Sequence, residues 1–209
     1  MYNLKIKRME ILSNDRIAEI AREWCIPPAA LLAVKLVESG NNKTGFIEGI
    51  NKPVILFEGH IFFKLLKQNG YDVTKLHNSN PGIVYSKWDK SKYKSPRSEW
   101  QRLESARKIN KDLANQSASW GMFQVMGFNY KSCGCKTSDE FVDLMSTSPE
   151  AQLELTLNFL KYNKMIIPLQ RKNWVEFAKR YNGPGYTKNR YDIKLQNAYN
   201  NYVRTYPDK

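Results

Sequence analysis

One run of residues limits the fold more than any other: Ala29 to Gly40, AALLAVKLVESG. Leu31, Leu32, Val34, Leu36 and Val37 spread around more than one face of a helix. A helix built from them has almost no face to offer to water, so the rest of the chain must enclose it. Pro27 and Pro28 suit a first helical turn, and Gly40 suits the residue that ends it. The run stops on Glu38 and Ser39. A carboxyl in the last turn of a core helix loses water and faces the negative end of the helix dipole, and both effects favour its protonated form. A carboxyl still protonated near neutral pH can act as a general acid, as in glycosidases. Lys35, one turn earlier, opposes that shift if it faces Glu38. Taken alone, a glutamate in such a place is more often a plain helix end at the surface.

The chain has 209 residues, 42% of them hydrophobic and 12% aromatic, which suits one globular domain with a real core. No apolar run reaches membrane-spanning length. The first residues, MYNLKIKRMEIL, show no apolar stretch followed by small residues, so production in the cytoplasm without a signal peptide is expected. Thirty-three basic against 20 acidic residues give a net charge of +13. Such a balance points to a polyanionic partner: nucleic acid, an anionic membrane or an anionic cell wall. No helix-turn-helix or aromatic RNA-binding signature is present, so nucleic acid is not expected. Cys25, Cys133 and Cys135 are an odd set, and Cys-Gly-Cys is too short for a zinc hook. With only His60 and His77 to complete a site, neither a metal nor any other cofactor is expected.

Helical patterns dominate the rest. Ser13 or Asn14 caps a helix to about Trp24, with Ile17, Ile20 and Ala21 on one face. Pro53 to Phe57 is a short β-prone run, and Gly45 to Lys52 reads as a loop. Gly59 to Lys67 reads as helix. Gly70 to Arg97 is long for a structureless loop, which marks it as functional or as holding small elements. Ser98 and Gln101 form a capping-box pattern that opens a helix to about Ala114. Thr137 with Glu140, Ser148-Pro149-Glu150, and Asn173 with Glu176 open three more helices. A last one runs from about Asn189 to Tyr206. The fold class is mostly α (α+β), one helical domain with a small β element.

Three stretches carry chemistry together: Val37-Glu38-Ser39-Gly40, Ser119 to Gly127 (SWGMFQVMG), and Ala178 to Tyr186 (AKRYNGPGY). Gly121 between large apolar residues suggests a close backbone approach. Gln124 is a polar group in an apolar run and needs partners, which the amide of a sugar could supply. Tyr181, Asn182 and Tyr186 flank a Gly-Pro-Gly turn and offer aromatic faces and an amide. Alone, that third stretch reads more simply as a helix C-cap followed by a turn.

The order Glu-Ser, Gly-x-x-Gln, Tyr-Asn-Gly resembles the lysozyme and lytic transglycosylase superfamily. More closely, the chain resembles the N-acetylmuramidase family of bacteriophage endolysins through Val37 to Gly40, Phe57-Glu58-Gly59-His60, and Ser119 to Gly127. The likeness extends from about residue 14 to 206, so residues 1–209 are read as a single lysozyme-like catalytic domain with no separate wall-binding module. It implies hydrolysis of the β-1,4 bond between N-acetylmuramic acid and N-acetylglucosamine in bacterial peptidoglycan. By position, Glu38 is then the general acid and Glu58 the candidate second carboxylate, as base or electrostatic partner. His60 would help hold Glu58 or the substrate, and Ser119, Gln124, Tyr181, Asn182 and Tyr186 would hold substrate. The alternative for Glu58 is an ion pair at the base of a helix. Two departures from the family pattern are the Asn after Ser39-Gly40 and a longer loop from Asn41 to Asn51.

The positive charge then has a use. Lys87, Lys90, Lys92, Lys94 and Arg97 crowd one loop, and Lys161, Lys164, Arg171, Lys172, Lys179 and Arg180 crowd the last third. Their field would draw the protein to anionic wall polymers or a membrane surface, and salt would weaken the draw. The expected form is a monomer that reaches the wall after release from the host cytoplasm. Rival readings are a lytic transglycosylase using the same acid, and a basic peptidoglycan- or membrane-binding protein without activity.

Overall fold

The computed structural model describes residues 11–40 and 44–208. Eleven helices and five short strands lie among them. The apolar run forms α2 (Pro28–Ser39), buried from Pro28 through Lys35, and Gly40 ends it with φ of 54°. Helix α1 (Asn14–Glu23) packs on α2 through Ile17, Ala18, Ile20 and Ala21, and the Ser13 side chain accepts the Arg16 N–H at its start. The most extensive partner of α2 is the last helix, α11 (Tyr191–Tyr202), which closes over it from the far end of the sequence. These two helices, with α9 (Ile166–Gln170), supply the enclosure that α2 demands.

The β element is larger than one short run. A two-residue hairpin pairs β1 (Phe46–Ile47) with β2 (Lys52–Pro53), inside the stretch expected to be loop. Then β3 (Ile55–Phe57), β4 (Ala118–Trp120) and β5 (Val125–Met126) form an antiparallel sheet, with Ile55 opposite Trp120 and Ser119 opposite Met126. Of the loop compared with the family pattern, Asn41 to Lys43 lie outside the described residues.

Helix α3 spans Gly59–Gln68, as its apolar spacing predicts. The long polar stretch holds α4 (Val73–Ser79), started by Asp72, whose carboxylate accepts the Thr74 and Lys75 N–H groups. It also holds a single 3-10 turn at Lys90–Lys92. The next helix, α5 (Pro96–Arg107), starts two residues ahead of the expected Ser98 and stops before Lys108. Pro96 suits the first turn. The Asn110 side chain then caps a separate α6 (Lys111–Gln116) by accepting the Leu113 N–H, which breaks what the pattern suggests is one helix. Helices α7 (Ser138–Met145), α8 (Pro149–Tyr162) and α10 (Trp174–Asn182) begin where their caps predict, with Thr137, Ser148 and Asn173 each accepting a backbone N–H.

Trp120, Phe57, Phe62, Phe123, Phe141 and Phe177 are fully buried and form the centre. Each contributes on the order of 2–3 kcal/mol relative to exposure. Trp100 and Phe141 both meet the Trp120 ring edge-on, and the two indole N–H groups donate to Pro53 O and Asn115 O. One buried polar side chain organises the turn between β4 and β5. Gln152 on α8 accepts the Met122 N–H at 2.8 Å and donates to Met145 O at 2.9 Å and Gly45 O at 3.4 Å. Gly121, at φ of 73°, passes so close to this amide that no Cβ fits.

Candidate active site

The end of α2 and the β4–β5 turn form two sides of an open cleft of about 260 Å³. Glu38 and Ser39 lie along one edge. Gly121, Met122 and Gln124 lie along another, and Lys94 and Glu99 close a third. Glu38 keeps part of its surface open to this cleft but is otherwise surrounded by protein. Desolvation pushes its carboxyl up from 4.5 to about 7, against two opposing influences. Asn182 Nδ2 donates to Glu38 Oε1 at 3.3 Å, and the Lys194 charge on α11 favours the ionised form. The opposing cation is therefore not Lys35, whose Nζ donates to Asn14 Oδ1 on α1.

The other expected residues are placed differently from one another. Asn182, in the last turn of α10, reaches Glu38 directly. Tyr181 stacks on Phe177, meets Phe159 edge-on and donates its hydroxyl to Phe123 O at 2.6 Å. Burial, then the nearby Glu38 charge, keeps that phenol protonated. Gln124 lines the cleft, but its amide is already paired: Oε1 accepts from Ser119 Oγ at 2.7 Å and Nε2 donates to Gly121 O at 2.8 Å. The partners expected from a sugar amide are thus supplied by the chain, and Gln124 adopts a left-handed backbone with φ of 49° to reach them. Ser119 is buried behind Gln124 and sets its orientation. Tyr186 is half-buried against the core and does not line the cleft.

Glu58 and His60 form a separate cluster. Glu58 precedes the first turn of α3 and is absent from the cleft lining. Tyr93 donates its hydroxyl to both oxygens of Glu58, at 3.0 and 2.8 Å. His60 Nδ1 lies 3.3 Å from Glu58 Oε2, near enough for charge pairing but not aligned for a hydrogen bond. The second carboxylate that does line the cleft is Glu99, which the capping pattern at Ser98 had obscured. It is buried and fully engaged. Its oxygens accept the Phe57 N–H at 3.0 Å, the Lys94 N–H at 2.7 Å, and Arg102 Nη1 at 2.7 and 3.0 Å. Lys194 and Tyr191 also carry no local sequence signal for the site, because they approach Glu38 only through the packing of α11 on α2.

No group of three or more His, Cys, Asp or Glu side chains among the described residues could hold a metal. Cys133 and Cys135 are unbridged, and burial pushes their thiols up to about 12 and about 11. No described helix is long and apolar enough to cross a membrane.

Comparison with known proteins shows the family and the fold. The family model described as N-acetylmuramidase matches residues 27–203. The crystal structure of the Burkholderia AP3 phage endolysin superposes with a TM-score of 0.80 at 36% identity, over 96% of this chain and 76% of that one. Among curated proteins none matches.

Proposed function

We propose a mechanism from the premise that this chain belongs to the N-acetylmuramidase family and is a glycoside hydrolase that cleaves peptidoglycan: Glu38 is its general acid. One observation carries this reading. Loss of water raises the carboxyl at the cleft edge from 4.5 to about 7, so about half of the molecules keep its proton at neutral pH. Glu38 gives that proton to the glycosidic oxygen between N-acetylmuramic acid and N-acetylglucosamine. As the bond breaks, the leaving sugar takes the proton and positive charge develops at the muramic acid C1. Water attacks there, its oxygen bonds to C1, and the proton it gives up passes through solvent to the Glu38 carboxylate, which restores the acid. The Asn182 amide and the Lys194 charge are placed to favour the carboxylate that remains, so they help the acid release its proton without making it ionise in advance.

Glu99 is poorly suited to be a base or nucleophile. Arg102 and two backbone N–H groups already occupy its oxygens, and breaking such a buried pair is costly. Glu58, bonded to Tyr93 away from the cleft lining, is read as a positioning residue. The cleft then operates with one proton-donating carboxyl, and attack falls to water held by the substrate and the cleft walls. Substrate sugars lie across Gly121, Met122 and Gln124, and the basic surface holds the protein to the anionic wall.

Mass spectrometry of fragments released from purified peptidoglycan tests the assignment. Wild type yields reducing-end muramic acid. Glu38→Gln loses about 10²–10⁴-fold in rate, the usual worth of a positioned acid, whereas Glu58→Gln retains measurable release. Anhydro-muramic ends would move the reaction to transglycosylation. Glu38→Gln releasing fragments at the wild-type rate would remove Glu38 from the chemistry.

A further inference from the structure

Beside the cleft lies a second, larger cavity of about 480 Å³, within the size range of small-ligand sites. Lys92, Lys94, Ser98, Gln101 and Ser105 line it, with Arg102 as its back wall, and no acidic side chain is in the lining. Lys94 belongs to both cavities, so the two adjoin there. The Arg102 guanidinium is spent on its neighbours: it donates to Glu99, Phe57 O, Gly82 O and the Tyr85 hydroxyl. Lys92 and Lys94 differ. Among the described residues neither ammonium has a carboxylate within 4.0 Å, although Asp89 is near enough to Lys92 to feel its charge.

The segment that presents these lysines is fastened at three points. Asp89 accepts the Ser91 N–H and hydroxyl. Tyr93, between the two lysines, donates to Glu58. The Lys94 N–H donates to Glu99. Two buried or half-buried carboxylates are thus used to hold a basic wall in place, and a site whose backbone is set before binding loses less on ordering.

We propose that this side cavity receives the acidic stem peptide carried by the muramic acid whose glycosidic bond lies in the cleft. The inference rests on the hydrolase reading above. Its chemistry is specific. The occupant must bear negative charge to meet Lys92 and Lys94, offer amides to Ser98, Gln101 and Ser105, and be tethered to a sugar lying past Lys94. The lactyl group of muramic acid bears such a peptide, with amides along its length and free carboxylates. The subsite makes the enzyme select peptide-bearing glycan over bare glycan and sets which sugar sits over Glu38, because only every second sugar carries a peptide.

The test compares kcat/KM on intact peptidoglycan with kcat/KM on the same strands stripped of stem peptides by an amidase. Lys92→Glu should lower the value on intact material about five- to tenfold, the scale of reversing one partly exposed ion pair, and leave the stripped strands within about twofold. Tyr93→Phe, which unfastens the segment from Glu58, should show the same selectivity in weaker form. Lys161→Glu, outside both cavities, corrects for the general field and should move both substrates by one common factor. An equal loss on the two substrates for Lys92→Glu, or no loss on either, would overturn the subsite. Neither result bears on the acid: Glu38→Gln active on both substrates would be the sign that the reading beneath has failed.

Discussion

Replacing Glu38 by Gln should slow the enzyme about 10²–10⁴-fold and, at neutral pH, make the protein more stable. The folded state holds the Glu38 proton up to about pH 7, whereas the unfolded chain releases it near 4.5. Below pH 4.5 both states are protonated and the carboxyl costs nothing. Between 4.5 and 7 only the folded state keeps the proton, so stability falls as pH rises. Above 7 both states are ionised, and the folded state bears the whole penalty of a desolvated charge. At 1.36 kcal/mol per pH unit this is about 3 kcal/mol at pH 8 and about 1 kcal/mol at pH 5. A glutamine is never charged, and its carbonyl can still accept the Asn182 amide. Urea unfolding at the two pH values, followed by tryptophan fluorescence, measures the difference. The gain of Glu38→Gln over wild type should grow by about 2 kcal/mol from pH 5 to pH 8, or very roughly 4–8 °C in Tm for a chain of this size. A gain that does not vary with pH would show that Glu38 is not desolvated in the folded protein, and the argument for its role as acid would go with it.

Two further outcomes follow from the same geometry. The alkaline limb of kcat/KM should lie near pH 7, and Lys194→Met should move it upward by less than one unit, since the lysine charge favours the carboxylate. A limb that stays or moves down would exclude that cation from the site. Gly121→Ala should cost about 2–4 kcal/mol in unfolding experiments, because φ of 73° is strained for alanine and the new Cβ would lie 2.6–2.7 Å from the Gln152 amide.

The parts of this protein legible in its sequence are those where local chemistry decides. The apolar spacing of α2 requires burial, and Gly40 requires a stop. Ser13, Thr137, Ser148 and Asn173 each satisfy a neighbouring N–H three residues on. Glu38 and Asn182 could be paired in advance only through the family pattern, as 144 residues separate them. What resisted reading was decided by distant contacts. Lys35 sits one turn from Glu38 but turns to α1, and Lys194 takes its expected electrostatic part from the other end of the chain. Glu58 lies in a family motif, yet its neighbours are Tyr93 and His60, and Tyr93 belongs to a stretch with no periodicity to announce it. The hairpin of β1 and β2 has two residues per strand, too few for alternation to show.

Helix α11 reaches α2 from the far end of the sequence and brings the Lys194 charge to bear on Glu38. The acid and the charge that tempers it stand on different helices, so the proton affinity of the site depends on how those two helices dock. A substitution in the seam between α2 and α11 can shift the working pH while leaving every residue of the cleft in place.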